Sequence, residues 1–333
     1  NLPFNKIMKE LVQNFSKQLK AALDIAHKAI ITPGRDFDNI VISGLGGSGI
    51  GGSVLAELVA SSCPVPIVTN NDYFLPAFVG PRSLVVISSY SGNTEETTSA
   101  MQEAMKRGAK IACVTSGGKV LELAKAAQLD FIEIPGGMPP RSCFGYSLVQ
   151  LVKILVSKDC APASLLNDVE KAITLLDKEN DRIKSEAMTV AQKLNGKIPV
   201  LYSLGSCDGV VVRFRQQINE NGKMLCWHHK FPEMNHNELV GWVEKNENLA
   251  VVTFHTSYDY GRTQKRYEFC KSLFTSLSSG VTDIQAQGNS LCEQLLYLVN
   301  MGDWISCYLA DLKGIDPVEV KVIDRLKAEL SKF

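Results

Sequence analysis

The sequence predicts an α/β fold made of two αβα sandwich domains with mostly parallel sheets. Short runs rich in Val and Ile alternate with amphipathic runs at helical spacing, as is typical of strands joined by crossover helices. The alternation stops over residues 147–195, which lack strand signals, and it then restarts. A chain of 333 residues is long enough for two cores. We therefore predict a first domain over residues 1–150, a helical connection over 151–195 and a second domain over 196–333.

The first domain is predicted to begin with one long helix and to continue with five strands. Apolar residues recur at helical spacing from Leu11 to Ile25, which predicts an amphipathic helix over residues 5–30. Five β-rich runs follow, and helix-like runs separate most of them. The predicted strands are 39–45, 65–70, 83–89, 110–116 and 130–135, and the predicted helices between them are 50–61, 94–108 and 119–128.

The second domain repeats this order of elements without close sequence identity to the first. The predicted strands are 198–206, 248–256 and 280–288, the predicted helices are 207–223 and 263–277, and two further helices close the chain. Two sandwiches side by side fit this repetition better than one large sheet does.

Composition excludes several classes of partner and location. The 35 Lys and Arg balance the 35 Asp and Glu, so we expect no binding to nucleic acid or to an anionic membrane. No apolar run approaches the roughly 20 residues that cross a bilayer. The first residues lack the pattern of a signal peptide. The nine cysteines are scattered without a CxxC pair, so we expect reduced thiols in a cytoplasmic protein.

A glycine-rich run, "SGLGGSGIGGS" (residues 43–53), follows the first predicted strand. Its glycines satisfy the GxGxxG pattern of dinucleotide-binding turns. A nicotinamide cofactor would need an acidic residue where the next strand ends, and that strand ends at Asn70. The other interpretations are a tight turn, or a phosphate site in which Gly46 and Gly47 let the ligand approach the backbone and Ser48 donates a hydrogen bond.

A second run, "SSYSGNTEET" (residues 88–97), lies at an equivalent strand-to-helix corner. Backbone N–H groups converge there and the helix dipole favours an anion. One hydroxyl would suffice to cap the helix, so a cluster of hydroxyls favours a phosphate site. We predict that a phosphate monoester binds at the two corners, and the residues predicted to hold it are Gly46, Gly47, Ser48, Ser89, Ser91 and Thr94.

Three further motifs complete a resemblance to a known family. They are "PPRSCFGYS" (139–147), "NENGK" (219–223) and "FPEMNHNELVGW" (231–242). Together with the two corners they resemble the bifunctional phosphoglucose/phosphomannose isomerase family, whose members have two sugar isomerase (SIS) domains. The motifs occur in the expected order and span nearly the whole chain.

The resemblance implies an aldose–ketose isomerase with a phosphosugar substrate and no metal or other cofactor. It would interconvert glucose 6-phosphate, and mannose 6-phosphate as well, with fructose 6-phosphate through a cis-enediol(ate). In the family, use of mannose 6-phosphate depends on a small hydroxyl residue in the C-terminal segment. The nearest positions here are Val318 and Val320, which are apolar, so the sequence leaves the second activity open.

The resemblance also implies catalytic residues. Glu220 matches the family's catalytic glutamate, the base that moves the proton between C1 and C2, with Glu233 and Glu238 as rival candidates. His236 matches the family's histidine, which opens the sugar ring. In related isomerases this histidine comes from the other subunit. A homodimer with its active site near the subunit interface is therefore expected.

Two cations complete the predicted catalytic set. Arg141 follows two prolines that stiffen its approach, and a fixed guanidinium near C1 and C2 would stabilise the enediolate. Lys327 in the last helix resembles a lysine that the family uses near its C-terminus, and Lys321 and Lys332 compete for this match.

Three other interpretations compete with the metal-free isomerase. His228, His229, His236 and Glu238 could be metal ligands, but adjacent histidines diverge on a strand or a helix and no HExxH motif supports a site, so we expect no metal. The alternative function is a SIS-type phosphosugar-binding regulator without catalysis. Such regulators usually carry a DNA-binding helix-turn-helix, for which the N-terminal helix leaves no room. An amidotransferase would need a glutaminase domain that begins with a catalytic Cys, whereas this chain begins "NLPF".

Overall fold

The structure is a computed structural model that describes the backbone of residues 3–332. The first half of the chain forms five strands and seven helices. The strands are β1 (Asn39–Ser43), β2 (Ile67–Asn70), β3 (Ser83–Ser89), β4 (Lys110–Thr115) and β5 (Asp130–Glu133). The helices are α1 (Pro3–Gln13), α2 (Phe15–Lys28), α3 (Gly46–Val59), α4 (Glu95–Lys106), α5 (Gly118–Ala126), α6 (Phe144–Ser157) and α7 (Ser164–Leu194).

The second half of the chain forms four strands and four helices. The strands are β6 (Ile198–Ser203), β7 (Trp227–Lys230), β8 (Leu249–His255) and β9 (Val281–Gln285). The helices are α8 (Asp208–Glu220), α9 (Gly261–Leu277), α10 (Leu291–Lys313) and α11 (Lys321–Leu330). Within residues 3–332, none of the helices has both the length and the apolar character needed to cross a membrane.

The strands form two separate sheets, and every strand pairing is parallel. The first sheet has the order β2-β1-β3-β4-β5 and the second has the order β7-β6-β8-β9. The predicted α/β class with mostly parallel sheets is therefore confirmed. The predicted boundaries at residues 150 and 195 stay predictions, and the first of them falls inside α6.

Two details of the prediction were wrong. The single helix predicted over 5–30 is two helices separated at Asn14, because α1 packs against α10 whereas α2 packs against α6 and α7. Strand β7 was missed because its sequence, "WHHK", has no β-branched residue. It lies at the edge of its sheet and needs a partner strand on one side only.

The buried side chains form layers on both faces of both sheets. Ile40 and Ile42 of β1 face a large core between the sheets, which also contains side chains of α3, α6, α8 and α10. Val41 faces the opposite side of the first sheet, where α4 and α5 pack. Tyr202 of β6 faces the outer side of the second sheet, where α9 packs. The alternation follows from the two-residue period of a strand.

Helices α3 and α8 cross in opposite directions between the two sheets. In the first turn of α8, a Cβ added to Gly209 would lie 3.0 Å from the Val54 nitrogen of α3, a tight contact, so glycine favours this close approach. The Gly209 N–H also donates to Glu57 Oε1 of α3 at 2.6 Å. Burial raises the pKa of Glu57 to about 8, so its carboxyl group can stay neutral at this helix crossing. The carboxyl edge of the first sheet consequently lies beside the amino edge of the second.

Candidate active site

Arg141 lies where these two edges meet, in a region that we call the cleft. Its side chain is buried, and the guanidinium makes four hydrogen bonds. Nε donates to Asn221 Oδ1 at 2.8 Å, and Nη1 donates to Glu220 Oε2 at 3.2 Å. Nη2 donates to the main-chain oxygens of Pro317 at 2.5 Å and Val318 at 3.5 Å. Residues distant in sequence are thus brought together around one cation.

The hydrogen bonds of Arg141 leave it one free donor. A guanidinium has five N–H groups in a planar fork, and four of them are used here. Burial lowers the pKa of Arg141, but an arginine remains charged in proteins. Its fifth N–H, on Nη1, can therefore be donated to a ligand by a cation that is already fixed in place.

Glu220 is the last residue of α8, and its side chain is 28% exposed. It therefore combines a cationic neighbour with access to solvent and to a ligand. Lys223 holds the chain just beyond it by donating to the main-chain oxygens of Glu220 and Glu319. Burial lowers the pKa of Lys223. Asn221 and Lys223 belong to the motif "NENGK" but were not predicted as site residues, although polar residues on both sides of Gly222 were a usable signal.

The two glycine and hydroxyl corners are joined through Ser48, in the first turn of α3. Its hydroxyl accepts a hydrogen bond from the Tyr90 N–H at 3.0 Å. The Ser88 hydroxyl donates to the Ser48 main-chain oxygen at 2.8 Å. Beside it, Gly46 has φ +52°, a left-handed conformation that favours glycine. The corners therefore form one surface at the carboxyl edge of the first sheet.

The second corner carries three hydroxyl side chains just before α4. Thr94 is the N-cap residue of α4, yet its side chain makes no capping hydrogen bond. Ser89 is buried, and its Oγ lies 3.4 Å from Thr94 Oγ1. Ser91 is exposed and accepts a hydrogen bond from the Asn93 N–H at 3.2 Å. The arrangement differs from an ordinary helix cap, in which the hydroxyl would bond to the helix itself.

Gly47 brings the first corner into contact with the turn that carries Arg141. A Cβ added to Gly47 would lie 2.9 Å from the Arg141 Cα, so no other residue fits without a shift of the backbone. The six predicted phosphate-site residues therefore lie on a surface that adjoins Arg141. Arg141 is in turn hydrogen-bonded to Glu220.

His236 lies at the opposite edge of the second sheet from Glu220. It is exposed and ends a short turn that follows the carboxyl end of β7. At that edge the Lys230 ammonium lies 3.0 Å from the carboxylate of Asp208, the first residue of α8. Glu220 ends the same helix 12 residues later, a span of roughly 18 Å at 1.5 Å per residue. One chain therefore does not bring His236 to Arg141 and Glu220.

The rival glutamates lie with His236 and not with Arg141. Glu233 is exposed and accepts a hydrogen bond from Asn237 Nδ2 at 2.9 Å. Glu238 accepts hydrogen bonds from the Tyr202 hydroxyl and from Trp227 Nε1, the latter at 3.5 Å. Both carboxylates hold the loop around His236 in place.

Lys327 is exposed on α11. This helix begins beside the cleft, because Val320 at its N-cap follows the segment bound by Arg141 and Lys223. Lys327 lies roughly 9 Å along the helix axis from its first residue. Among the contacts of residues 6–332, none joins Lys327, Lys321 or Lys332 to Arg141 or Glu220. The role of Lys327 stays a prediction.

Over the described residues, no group of three or more His, Cys, Asp or Glu side chains is arranged to hold a metal ion. His228 and His229 are consecutive residues of β7, so their side chains point to opposite faces of the sheet.

Most of the similar sequences carry the name of one family. A family profile described as the bacterial phospho-glucose isomerase C-terminal SIS domain matches residues 183–330. The bifunctional phosphoglucose/phosphomannose isomerase of Caldicellulosiruptor bescii is 38% identical to this chain, over 98% of this chain and 99% of the relative. The protein of the same name from Aquifex aeolicus is 36% identical, over 97% of this chain and 98% of its own.

Solved structures share the fold at lower sequence identity. The C-terminal domain of glucosamine-fructose-6-phosphate aminotransferase from Francisella tularensis superimposes with a TM-score of 0.75 at 14% identity. The match covers 94% of this chain and 98% of that domain, so the two architectures agree throughout. The sequence relatives carry the stronger statement, since they match at 38% and 36% identity over nearly their full length. This chain belongs to the bifunctional phosphoglucose/phosphomannose isomerase family.

Proposed function

We propose that the protein interconverts glucose 6-phosphate and mannose 6-phosphate with fructose 6-phosphate through a cis-enediol(ate), without a metal ion. The observation that carries the proposal is the carboxylate of Glu220 3.2 Å from the fixed guanidinium of Arg141, beside the two glycine and hydroxyl corners. The names of the relatives supply the two aldose substrates. We also propose a cytoplasmic location, since scattered cysteines without pairing motifs are typical of reducing compartments.

The phosphate monoester would bind where the two corners meet. The N–H groups at the start of α3 and α4 would donate to its oxygens, and both helix dipoles favour an anion there. The hydroxyls of Ser48, Ser89, Ser91 and Thr94 would add donors without adding charge. Binding at this end of the cleft would direct C1 and C2 of the sugar towards Arg141.

Glu220 and Arg141 would carry out the proton transfer. The Glu220 carboxylate would remove a proton from C2 of the open-chain aldose and return it to C1 on the same face. The negative charge that develops on the oxygens of C1 and C2 would be stabilised by the free N–H of Arg141. Because the guanidinium is already fixed by four hydrogen bonds, little reorganisation would be needed during the reaction.

Ring opening would need a residue from a second subunit. We propose a homodimer in which His236 of one copy enters the cleft of the other. Within one chain, His236 and Glu220 lie at opposite edges of the second sheet and cannot meet. Leu225, Val240 and Val243 are 86%, 83% and 76% exposed and lie in the same part of the chain. Their contact with a second copy would cover this apolar surface. Lys327 would assist ring opening once contact with the second subunit positions α11.

The proposed activity can be tested with a coupled assay. We expect the purified protein to convert glucose 6-phosphate to fructose 6-phosphate, and to convert mannose 6-phosphate as well. Both rates should be unchanged by EDTA, since no step requires a metal. Activity that is lost with EDTA and restored by Zn²⁺ would contradict the metal-free mechanism. A protein that binds fructose 6-phosphate but turns over neither aldose would instead be a phosphosugar-binding regulator.

The phosphate corner can be tested by removing two hydroxyls. The double variant Ser89→Ala and Thr94→Ala should raise KM for glucose 6-phosphate at least about tenfold, because a hydrogen bond to a charged group contributes about 1.5–3 kcal/mol. A matched control is Thr275→Ala with Ser276→Ala, two hydroxyls that bond only to carbonyls of their own helix α9. An unchanged KM in the first double variant would rule out this corner as the anchor.

A further inference from the structure

A closed ring of hydrogen bonds begins and ends at Arg141 and passes through Asn221, Ser306, Asp303 and Arg213. Its Nε donates to Asn221 Oδ1 at 2.8 Å, and Asn221 Nδ2 donates to the Ser306 hydroxyl at 2.9 Å. That hydroxyl donates to the main-chain oxygen of Asp303 at 2.7 Å. The Asp303 carboxylate accepts from Arg213 Nη2 at 2.7 Å, and the same Nη2 donates to the main-chain oxygen of Arg141 at 3.0 Å.

We propose that Asn221, Ser306, Asp303 and Arg213 act as positioning residues, which fix the guanidinium of Arg141 for catalysis by closing this ring. The inference rests on the proposed function, because it assigns these four residues to the isomerisation. The ring is a structural support for Arg141. It is apparent neither from the sequence motifs nor from the residues proposed to bind the ligand.

The ring is buried, and the donor and acceptor of each of its hydrogen bonds are fixed. The five residues are between 0% and 5% exposed, so water does not compete for their hydrogen bonds. An arginine can only donate, so the oxygen of the Asn221 amide must face Arg141 and its nitrogen must face Ser306. The Ser306 hydroxyl then accepts one hydrogen bond and donates the other. No member can be reoriented without breaking the ring.

The ring holds Arg141 at both ends of the residue. Asn221 holds the side chain at Nε, and Arg213 holds the main chain at the carbonyl oxygen. Arg213 is itself fixed, since its guanidinium lies 4.5 Å from the centre of the Phe144 ring and pairs with Asp303. Gln217 Nε2 binds the other oxygen of that carboxylate at 2.8 Å. The free N–H of Arg141 is thus aimed by contacts with α8 and α10 as well as by its own turn.

Opening the ring should misplace the guanidinium and leave the phosphate corners untouched. The least disruptive variant is Ser306→Ala, which removes one hydroxyl and no charge. Changing Asp303 would leave the buried Arg213 without its counter-ion and would destabilise the fold itself. Ser278→Ala is the matched control, because Ser278 is a buried serine outside the ring whose hydroxyl bonds to main-chain oxygens, those of Phe274 and Gly280.

The kinetic test separates positioning from general stability. Ser306→Ala should lower kcat about tenfold to a hundredfold, as expected for a misplaced catalytic group, and should change KM less than about twofold. Ser278→Ala should keep the wild-type kcat. In a background that already carries Arg141→Lys, Ser306→Ala should cost less than about twofold, because the guanidinium that it positions is gone. An equal loss in both backgrounds, or an unchanged kcat, would overturn the proposal.

A spectroscopic test does not depend on activity. In protein labelled with ¹⁵N-arginine, the Nε–H signal of Arg141 is the one that disappears in Arg141→Lys. It should exchange slowly with solvent in the wild type, and at least about tenfold faster in Ser306→Ala. Equal exchange in the two proteins would show that the ring does not fix the guanidinium. An inert wild type would instead overturn the proposed function and the catalytic use of the ring, while the exchange rates would still decide whether the ring holds Arg141.

Discussion

Replacing Glu220 with Gln should lower kcat for glucose 6-phosphate by about 10²–10⁴-fold, the usual contribution of a positioned general base. Gln keeps the shape of the side chain, and its oxygen can still accept the hydrogen bond from Arg141 Nη1. What is lost is the ability to take up a proton. KM should change little, since the phosphate corners lie on α3 and α4 and the variant does not touch them.

Isotope exchange identifies the step that fails. Wild-type protein should exchange the C2 proton of glucose 6-phosphate with solvent deuterium, and Glu220→Gln should not. The matched control is Glu233→Gln, a change at an exposed glutamate of the loop near His236, which should exchange as the wild type does. Exchange at the wild-type rate in Glu220→Gln would show that Glu220 is not the base. Loss of exchange in Glu233→Gln would then transfer the role to that residue.

The local parts of this site could be predicted from the sequence because each lies within one short run. Hydroxyls and glycines at a strand-to-helix corner indicate an anion site through backbone geometry and helix dipoles, whatever the rest of the fold. Thr94 illustrates how far such reasoning reaches. The sequence could not distinguish a helix cap from a ligand-binding hydroxyl, whereas the structure shows a side chain that makes no capping hydrogen bond.

The long-range parts could not be predicted in the same way. The hydrogen bonds around Arg141 join three distant parts of the sequence, namely its own turn, α8 with Arg213 and Asn221, and α10 with Ser306. They exist only because α3, α8 and α10 pack together. The same holds for the separation of Glu220 from His236. Their positions depend on which edge of the sheet each connection reaches, and that depends on β7, whose polar sequence gives no strand signal. Topology, and not residue chemistry, was the missing information.

That separation leads to a prediction about mixed dimers. Glu220→Gln and His236→Ala homodimers should each be nearly inactive towards cyclic glucose 6-phosphate. A heterodimer of the two, purified through a different tag on each chain, should recover about half of the wild-type kcat per dimer. One of its sites would combine the intact Glu220 of one chain with the intact His236 of the other. The second site would contain both substitutions and would stay inactive.

The control for the mixed dimer is a second heterodimer, in which the two substituted residues are ones that the same chain contributes to its own cleft. Arg141 and Glu220 are hydrogen-bonded in the same chain, so a heterodimer of Glu220→Gln with Arg141→Lys has one defect in each site and should recover nothing. Recovery in the first pair and not in the second requires a site built from two chains. If the first heterodimer is as inactive as its parents, His236 does not act across a dimer, and ring opening must depend on a group of the same chain, of which Lys327 is the first to test.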